Sequence, residues 1–165
     1  MSTRLMADRA MAPIVLSGMG LSQESRNIET VLAKFRRESR APISFSWRES
    51  LRNDLASTAQ SCASSDWDGY GAEPVSTESA SATLQLIDAL PEYILPPDVV
   101  PEPSGEIALE WRTGDQRHFT VAVSGPIVVY AGIFGGSSKK YGEERFFDGL
   151  PSAVLEILAN YFSAV

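Results

Sequence analysis

The chain has 165 residues, 44% hydrophobic and 21% charged, with one cysteine, one histidine and a formal charge of −7. That length suits one ordinary domain able to bury about 70% of its unfolded surface, and the composition excludes wholesale disorder. A lone Cys62 excludes an internal disulfide framework and multi-cysteine zinc or iron–sulfur sites, and a lone His118 removes most histidine-based metal and acid–base sets.

Residues 1–45 read as a flexible arm followed by a basic amphipathic helix, and residues 46–165 as a single α+β domain. Arg4 precedes Met and Ala residues, but Asp8 and Arg9 interrupt them, and Pro13 and Gly18 break the next apolar stretch. This is not the pattern of a secretory leader. No apolar run approaches the ~18 residues of a membrane span, so a cytoplasmic protein is expected. Ser22 is a candidate N-cap for a helix to about Ser39, with Ile28, Val31, Leu32 and Phe35 as its stripe and Arg26, Lys34 and Arg37 opposite. Ala41-Pro42 ends that pattern. Ser46 and Glu49 are spaced as a capping box, and Leu51, Leu55, Ala59 and Cys62 give the second helix a buried face to about Ala63.

A third helix opens at Ser76, after Pro74, and closes before Pro91, with Ala80, Leu84, Ile87 and Leu90 inward. Five prolines between Pro91 and Pro103 stiffen the next segment, which reads as a crossing without regular structure. The period then switches from helical to two. Ile107, Leu109 and Trp111 alternate with Glu106, Ala108 and Glu110, and Phe119, Val121 and Val123 with His118, Thr120 and Ala122. Ile127–Phe134 is apolar at nearly every position, the signature of a strand covered on both faces. A polar loop at 135–140, a short strand near 143–147 and a turn at Asp148-Gly149 come next. A closing helix begins near Pro151, with Val154, Leu155, Leu158, Tyr161 and Phe162 as its apolar face. The fold class expected is α+β: N-terminal helices, an antiparallel meander of three or four strands, and a C-terminal helix on one face.

Charge is unevenly distributed. Residues 1–52 carry nine basic and five acidic side chains, and residues 112–165 carry five of each. Between them, 59 residues hold eleven acidic side chains and no Lys or Arg. Such a stretch must pair with the basic N-terminal segment, face water, or meet a positively charged partner. Nucleic-acid binding through it is disfavoured, because phosphate contacts need Lys and Arg.

The densest group of unusual residues is Asp66-Trp67-Asp68-Gly69-Tyr70-Gly71-Ala72-Glu73-Pro74. Asp66 and Asp68 can cap amides, or offer oxygens to a hard cation, but the remaining ligands of a calcium loop are missing. The structural reading has Trp67 and Tyr70 anchored in the core while the aspartates hold the loop backbone. This motif, followed by Pro74-Val75, a helix, a Pro-rich crossing and Gly105-Glu106-Ile107-Ala108-Leu109-Glu110-Trp111, resembles a pattern in small uncharacterised α+β proteins of bacteria and their mobile elements. The resemblance spans roughly Ser65 to the C-terminus; it implies a fold core and no assigned reaction.

Glu106 and Glu110 share a strand face with small Ala108 between them. Paired carboxylates can do acid–base work when one is desolvated, or can receive arginines; the plainer reading is a solvated face. Gly132–Lys139 lacks the spacing of a phosphate-binding loop, His118 reads as an ordinary strand residue, and Cys62 as an inert buried thiol. No cofactor or metal is expected.

Three functions stay open. The first is a non-catalytic acidic binding module of inhibitor, antitoxin or immunity type, meeting a basic nuclease, toxin or defence complex through Asp66, Asp68, Tyr70, Glu73, Glu106 and Glu110, with Arg36 and Arg37 contributing from the leading helix. The second is a metal-assisted hydrolase using Asp66, Asp68, Glu106 or Glu110. The third is a DNA-binding module built on Arg26, Lys34, Arg36, Arg37 and Arg40. Exposed strand edges leave a homodimer open.

Overall fold

The structure is a computed structural model that describes residues 28, 30, 47–114, 116–146 and 149–164. Its elements are helix α1 (Trp47–Ser61), helix α2 (Thr77–Ala89), strands β1 (Asp98–Pro101), β2 (Ile107–Thr113), β3 (Arg117–Ser124), β4 (Ile127–Phe134) and β5 (Ser138–Arg145), and helix α3 (Ser152–Tyr161). The strands form one antiparallel sheet in the order β1-β2-β3-β4-β5, so the chain is α+β. Among the described residues no helix is long and apolar enough to cross a membrane.

Helix α1 follows its apolar spacing: Leu51, Leu55 and Ala59 are buried, and Cys62 lies buried just past its end. Burial pushes the Cys62 thiol above its ordinary pKa. Helix α2 starts where Ser76, in extended conformation, accepts the Ser79 N–H on its hydroxyl at 3.0 Å, a capping bond that satisfies an otherwise orphaned amide. Its inward residues Ala80, Leu84, Ile87 and Leu90 are all at most 1% exposed.

The helices cover one face of the sheet. Ile107, Leu109, Trp111, Phe119, Val121, Val123, Val128 and Phe134 point into that layer and are buried. An aromatic group closes it from the α3 side: Phe162 lies 6.3 Å, centroid to centroid, from Phe119 in a stacked pair, and Tyr161 lies 4.3 Å from Phe134. The C-terminal strand-like tail is tied back by Leu95 N–H to Phe162 O and by Ala164 N–H to Tyr93 O. Ile28, helical and 2% exposed, joins the same core, and Thr30 is helical; the other residues expected to form the arm and the basic leading helix, including Arg36 and Arg37, lie outside the described residues, as does Ser46.

The sheet departs from the sequence expectation in three places. It has five strands, because Asp98–Pro101 inside the proline-rich crossing pairs with β2 in the register Val99↔Leu109. An edge strand needs donors on one side only, so prolines at its borders are compatible with pairing. The segment 138–140, expected as loop, is the start of β5: Gly135 and Gly136, both at positive φ, turn the chain tightly, and Lys139 and Lys140 are strand residues on an edge. Strand β4 is internal in the sheet, but among the described residues helices cover only one of its faces. Ile127, Val129 and Ile133 on the other are 37%, 38% and 42% exposed.

The two sequence motifs meet in space. Gly105 O accepts the Ser76 N–H at 2.9 Å, Pro103 O accepts the Glu73 N–H at 2.9 Å, and the buried Ser79 hydroxyl accepts the Ile107 N–H at 2.7 Å. Gly105 holds φ +83°, and a Cβ there would lie 2.6 Å from Pro74 O.

Replacing Gly105 with alanine is therefore expected to cost about 3 kcal/mol or more, combining left-handed backbone strain with a backbone clash. Gly69→Ala, at φ +76° with nothing within 4 Å, carries the strain alone and costs about 1–2 kcal/mol. Urea denaturation of the two variants measures the difference. Cys62 gives a second test. Its raised pKa means the unfolded chain loses the thiol proton first as pH rises, so Cys62 lowers stability at alkaline pH and is neutral in this respect below its unfolded pKa. Native protein should resist thiol alkylation that proceeds freely in denaturant.

Candidate functional site

The motif loop is built on its two aspartates. Asp66, at φ +62°, accepts the Gly71 N–H at 2.7 Å, and one oxygen of Asp68 accepts both the Tyr70 N–H at 2.8 Å and the Ala72 N–H at 3.1 Å. The Trp67 indole donates to Glu73 O at 2.9 Å and packs against the core. Tyr70 corrects the expectation that it anchors the loop. It stands 94% exposed at the loop apex, because Gly69 and Gly71 at positive φ fold the backbone away beneath it. The aspartates hold the backbone as expected, and the loop presents an aromatic ring outward.

Beside this loop lies an open cleft of about 620 Å³, between the first turns of α2, the β1–β2 turn and the β3–β4 turn. Glu78 and Glu106 line it with the hydroxyl residues Ser76, Thr77, Ser79, Ser81, Ser104 and Ser124. Two further carboxylate residues border the same turn. Glu73 Cβ lies 3.5 Å from the position a Cβ on Gly105 would take, and the Glu102 N–H donates to Glu106 O at 2.8 Å. Among the described residues none of these four glutamates has an ion-pair partner.

The other acidic residues of the stretch without Lys or Arg divide into groups. Asp88 and Glu92 are held by α1: Arg52 bonds Asp88 at 2.5 Å, and Arg48 pairs with Glu92 and donates to Leu90 O. For Arg52, burial alone lowers the pKa, but the bonds and charges of Asp88 and Glu49 outweigh it and hold the guanidinium above its ordinary value.

Glu110 corrects the expectation of a solvated strand face. It is 8% exposed, pairs with Arg112, and its other oxygen lies 3.0 Å from His118 Nε2. Register explains the cluster: Glu110 sits opposite Thr120, and Arg112 opposite His118, on the uncovered face. A cation two residues along and an imidazole on the next strand were the signal in the sequence.

Thus the structure sets Glu106 in one cleft with Glu78 and places Glu73 and Glu102 at the adjoining turn, Glu78 and Glu102 being absent from the partner-binding residues expected from sequence, and it sets Tyr70 at the apex of the neighbouring loop. Asp66 and Asp68 turn inward to their own amides, and Glu110 is occupied by Arg112 and His118. Among the described residues no three His, Cys, Asp or Glu side chains are placed to hold a metal ion. Comparison of the chain with protein-family models, with curated proteins and with solved structures gives no match.

The loop chemistry is directly testable. Asp68→Ala leaves the Tyr70 and Ala72 amides without their acceptor and is expected to cost about 1–2 kcal/mol and open 66–72 to proteolysis. Tyr70→Ala is expected to shift stability by no more than about 0.5 kcal/mol, since the ring buries almost nothing. Thermal melts and limited proteolysis separate the two roles.

Proposed function

We propose that the protein is a non-catalytic acidic binding module, of inhibitor, antitoxin or immunity type, that meets a basic protein surface through the cleft end of the molecule. The observation that carries this reading is that Glu78 and Glu106 line one hydroxyl-rich cleft, with Glu73 and Glu102 at the turn beside it, and that none of the four has an ion-pair partner among the described residues. Carboxylates set around a concave polar surface receive arginine side chains in charge-assisted, bidentate geometry, and the surrounding serines satisfy the remaining guanidinium donors. Tyr70, exposed at the apex of the adjoining loop, supplies an aromatic residue of a type favoured at recognition surfaces.

Elsewhere the chain spends its own cations on its own carboxylates, as Arg48, Arg52 and Arg112 do. That the cleft glutamates are left out supports an external partner. A nuclease, toxin or defence complex in the cytoplasm has the matching basic surface, and the resemblance of the two motifs to proteins of mobile elements fits such a role. The same surface repels phosphate, which disfavours direct nucleic-acid contact there.

Tagged protein should retain a basic partner from its host at low salt and release it progressively as salt rises. Glu78→Lys with Glu106→Lys should weaken that complex by tenfold or more, while Glu92→Gln, at a carboxylate already paired with Arg48, leaves it unchanged. No retained partner at low salt, or retention indifferent to salt and to the double reversal, overturns the reading.

A further inference from the structure

The two edges of the sheet are unlike. The β1 edge is four residues long and ends in Pro101, close after Pro96 and Pro97, which blunts it against further pairing. The β5 edge is eight residues long, without proline, and its register with β4 runs from Ile127↔Arg145 to Phe134↔Ser138 without a bulge. Among the described residues no strand pairs with its outer side. Its face away from the helices continues the exposed residues Ile127, Val129 and Ile133 of β4 through Tyr141, which is 81% exposed.

Along β5, Lys139 and Lys140 precede Tyr141 and Gly142, Glu143 and Glu144 follow them, and Arg145 closes the strand. Charged edges repel most strands, but this order complements itself when a copy runs antiparallel. We propose that β5 pairs with β5 of a second copy of this chain, joining two sheets into one of ten strands about a twofold axis at Tyr141.

The geometry leaves few registers. Opposing residues of an antiparallel pair share a face, so the two residue numbers must have an even sum. With Lys140 on Lys140 or Glu143 on Glu143 at the axis, like charges meet at the centre. With Gly142 on Gly142, Lys139 opposes Arg145. With Tyr141 on Tyr141, Lys139 opposes Glu143 of the second copy, the reciprocal pair repeats across the axis, and the two tyrosines cover each other. A twofold contact is isologous, so every favourable pair occurs twice.

Neither Lys139 nor Glu143 takes part in an ion pair among the described residues, and their neighbours on β4 are Ile133 and Val129. Their charges are thus available to a partner and dispensable to the fold. No residue of β5 lines the cleft bearing Glu78 and Glu106, so the proposed pairing does not use the cleft.

Light scattering and sedimentation of the full chain at low salt, from low micromolar to millimolar concentration, should reveal a monomer–dimer equilibrium that salt weakens. Lys139→Glu alone and Glu143→Lys alone should each weaken the dimer by about tenfold, because two attractive cross-strand pairs become repulsive. The double variant K139E/E143K restores the pairs and the dimer, and an equimolar mixture of the two single variants forms a heterodimer. Melting curves unchanged from the parent establish that each variant is folded. Tyr141→Cys should cross-link to its mate under mild oxidation, and Glu144→Cys should not. A monomer throughout the range, a dimer insensitive to the single reversals, or failure of the double reversal to restore association overturns the proposal. Each of these readouts is independent of any partner at the cleft.

Discussion

The junction between the 66–76 segment and the 102–107 turn is the contact on which the remaining geometry depends. It is made almost entirely of backbone: Val75 N–H to Cys62 O, Glu73 N–H to Pro103 O, and Ser76 N–H to Gly105 O. Through the first bond the loop is fixed to the end of α1; through the other two it is fixed to the sheet. The buried Ser79 hydroxyl, accepting the Ile107 amide, and Thr83, donating to Ile107 O, extend the junction up α2. A buried amide left without these acceptors costs about 1–3 kcal/mol. Only a residue without a Cβ permits the approach of Pro74 O to position 105, so the glycine of the second motif is a requirement of the first.

That junction also sorts the charges. Helices α1 and α2 pack side by side, which brings Arg48 and Arg52 over Asp88 and Glu92 at the far end of α2. The near end of α2 abuts the β1–β2 turn instead, and that turn contributes Glu102 and Glu106 rather than cations. Carboxylates at the two ends of one helix thus meet opposite circumstances because the helix is clamped between a basic neighbour and an acidic one. The exposed pairs contribute little stability individually; they leave Glu78 and Glu106 in the cleft among the carboxylates without an ion-pair partner in the described residues.

Much of this was legible in the residues. The α2 boundaries follow from Ser76 and Pro91, and the inward faces of α1 and α2 from apolar spacing alone, because local capping and periodicity determine them. The alternation in β2 and β3 was equally plain. What escaped was decided by distant partners. Strand β1 is four residues among prolines and exists only because β2 offers it an edge. The start of β5 is polar because it borders water, so its composition reads as loop. Tyr70 carries the apolar bulk of a core residue, and only the positive φ angles on either side of it turn the ring outward. Glu73 and Glu78 stand far in sequence from Glu102 and Glu106, and only the Gly105 junction brings the two pairs together.

Glu106 and Glu110 show how far residue type falls short of function. They are four positions apart in one chain segment and differ in what lies around them. At 110 the meander places Thr120 opposite and His118 diagonally, with Arg112 two positions along, so the carboxylate is enclosed and its charge answered within the fold. At 106 the ladder has not yet begun. The neighbours there are Ser124, Gly125 and the first turns of α2, which supply hydroxyls and space but no positive charge. Pairing register, rather than the acidity of the sequence, therefore separates a carboxylate paired within the sheet from one without an ion-pair partner among the described residues. The same argument applies at β5, where register would decide whether its five charged residues bar a neighbouring strand or, as proposed, admit a second copy of their own.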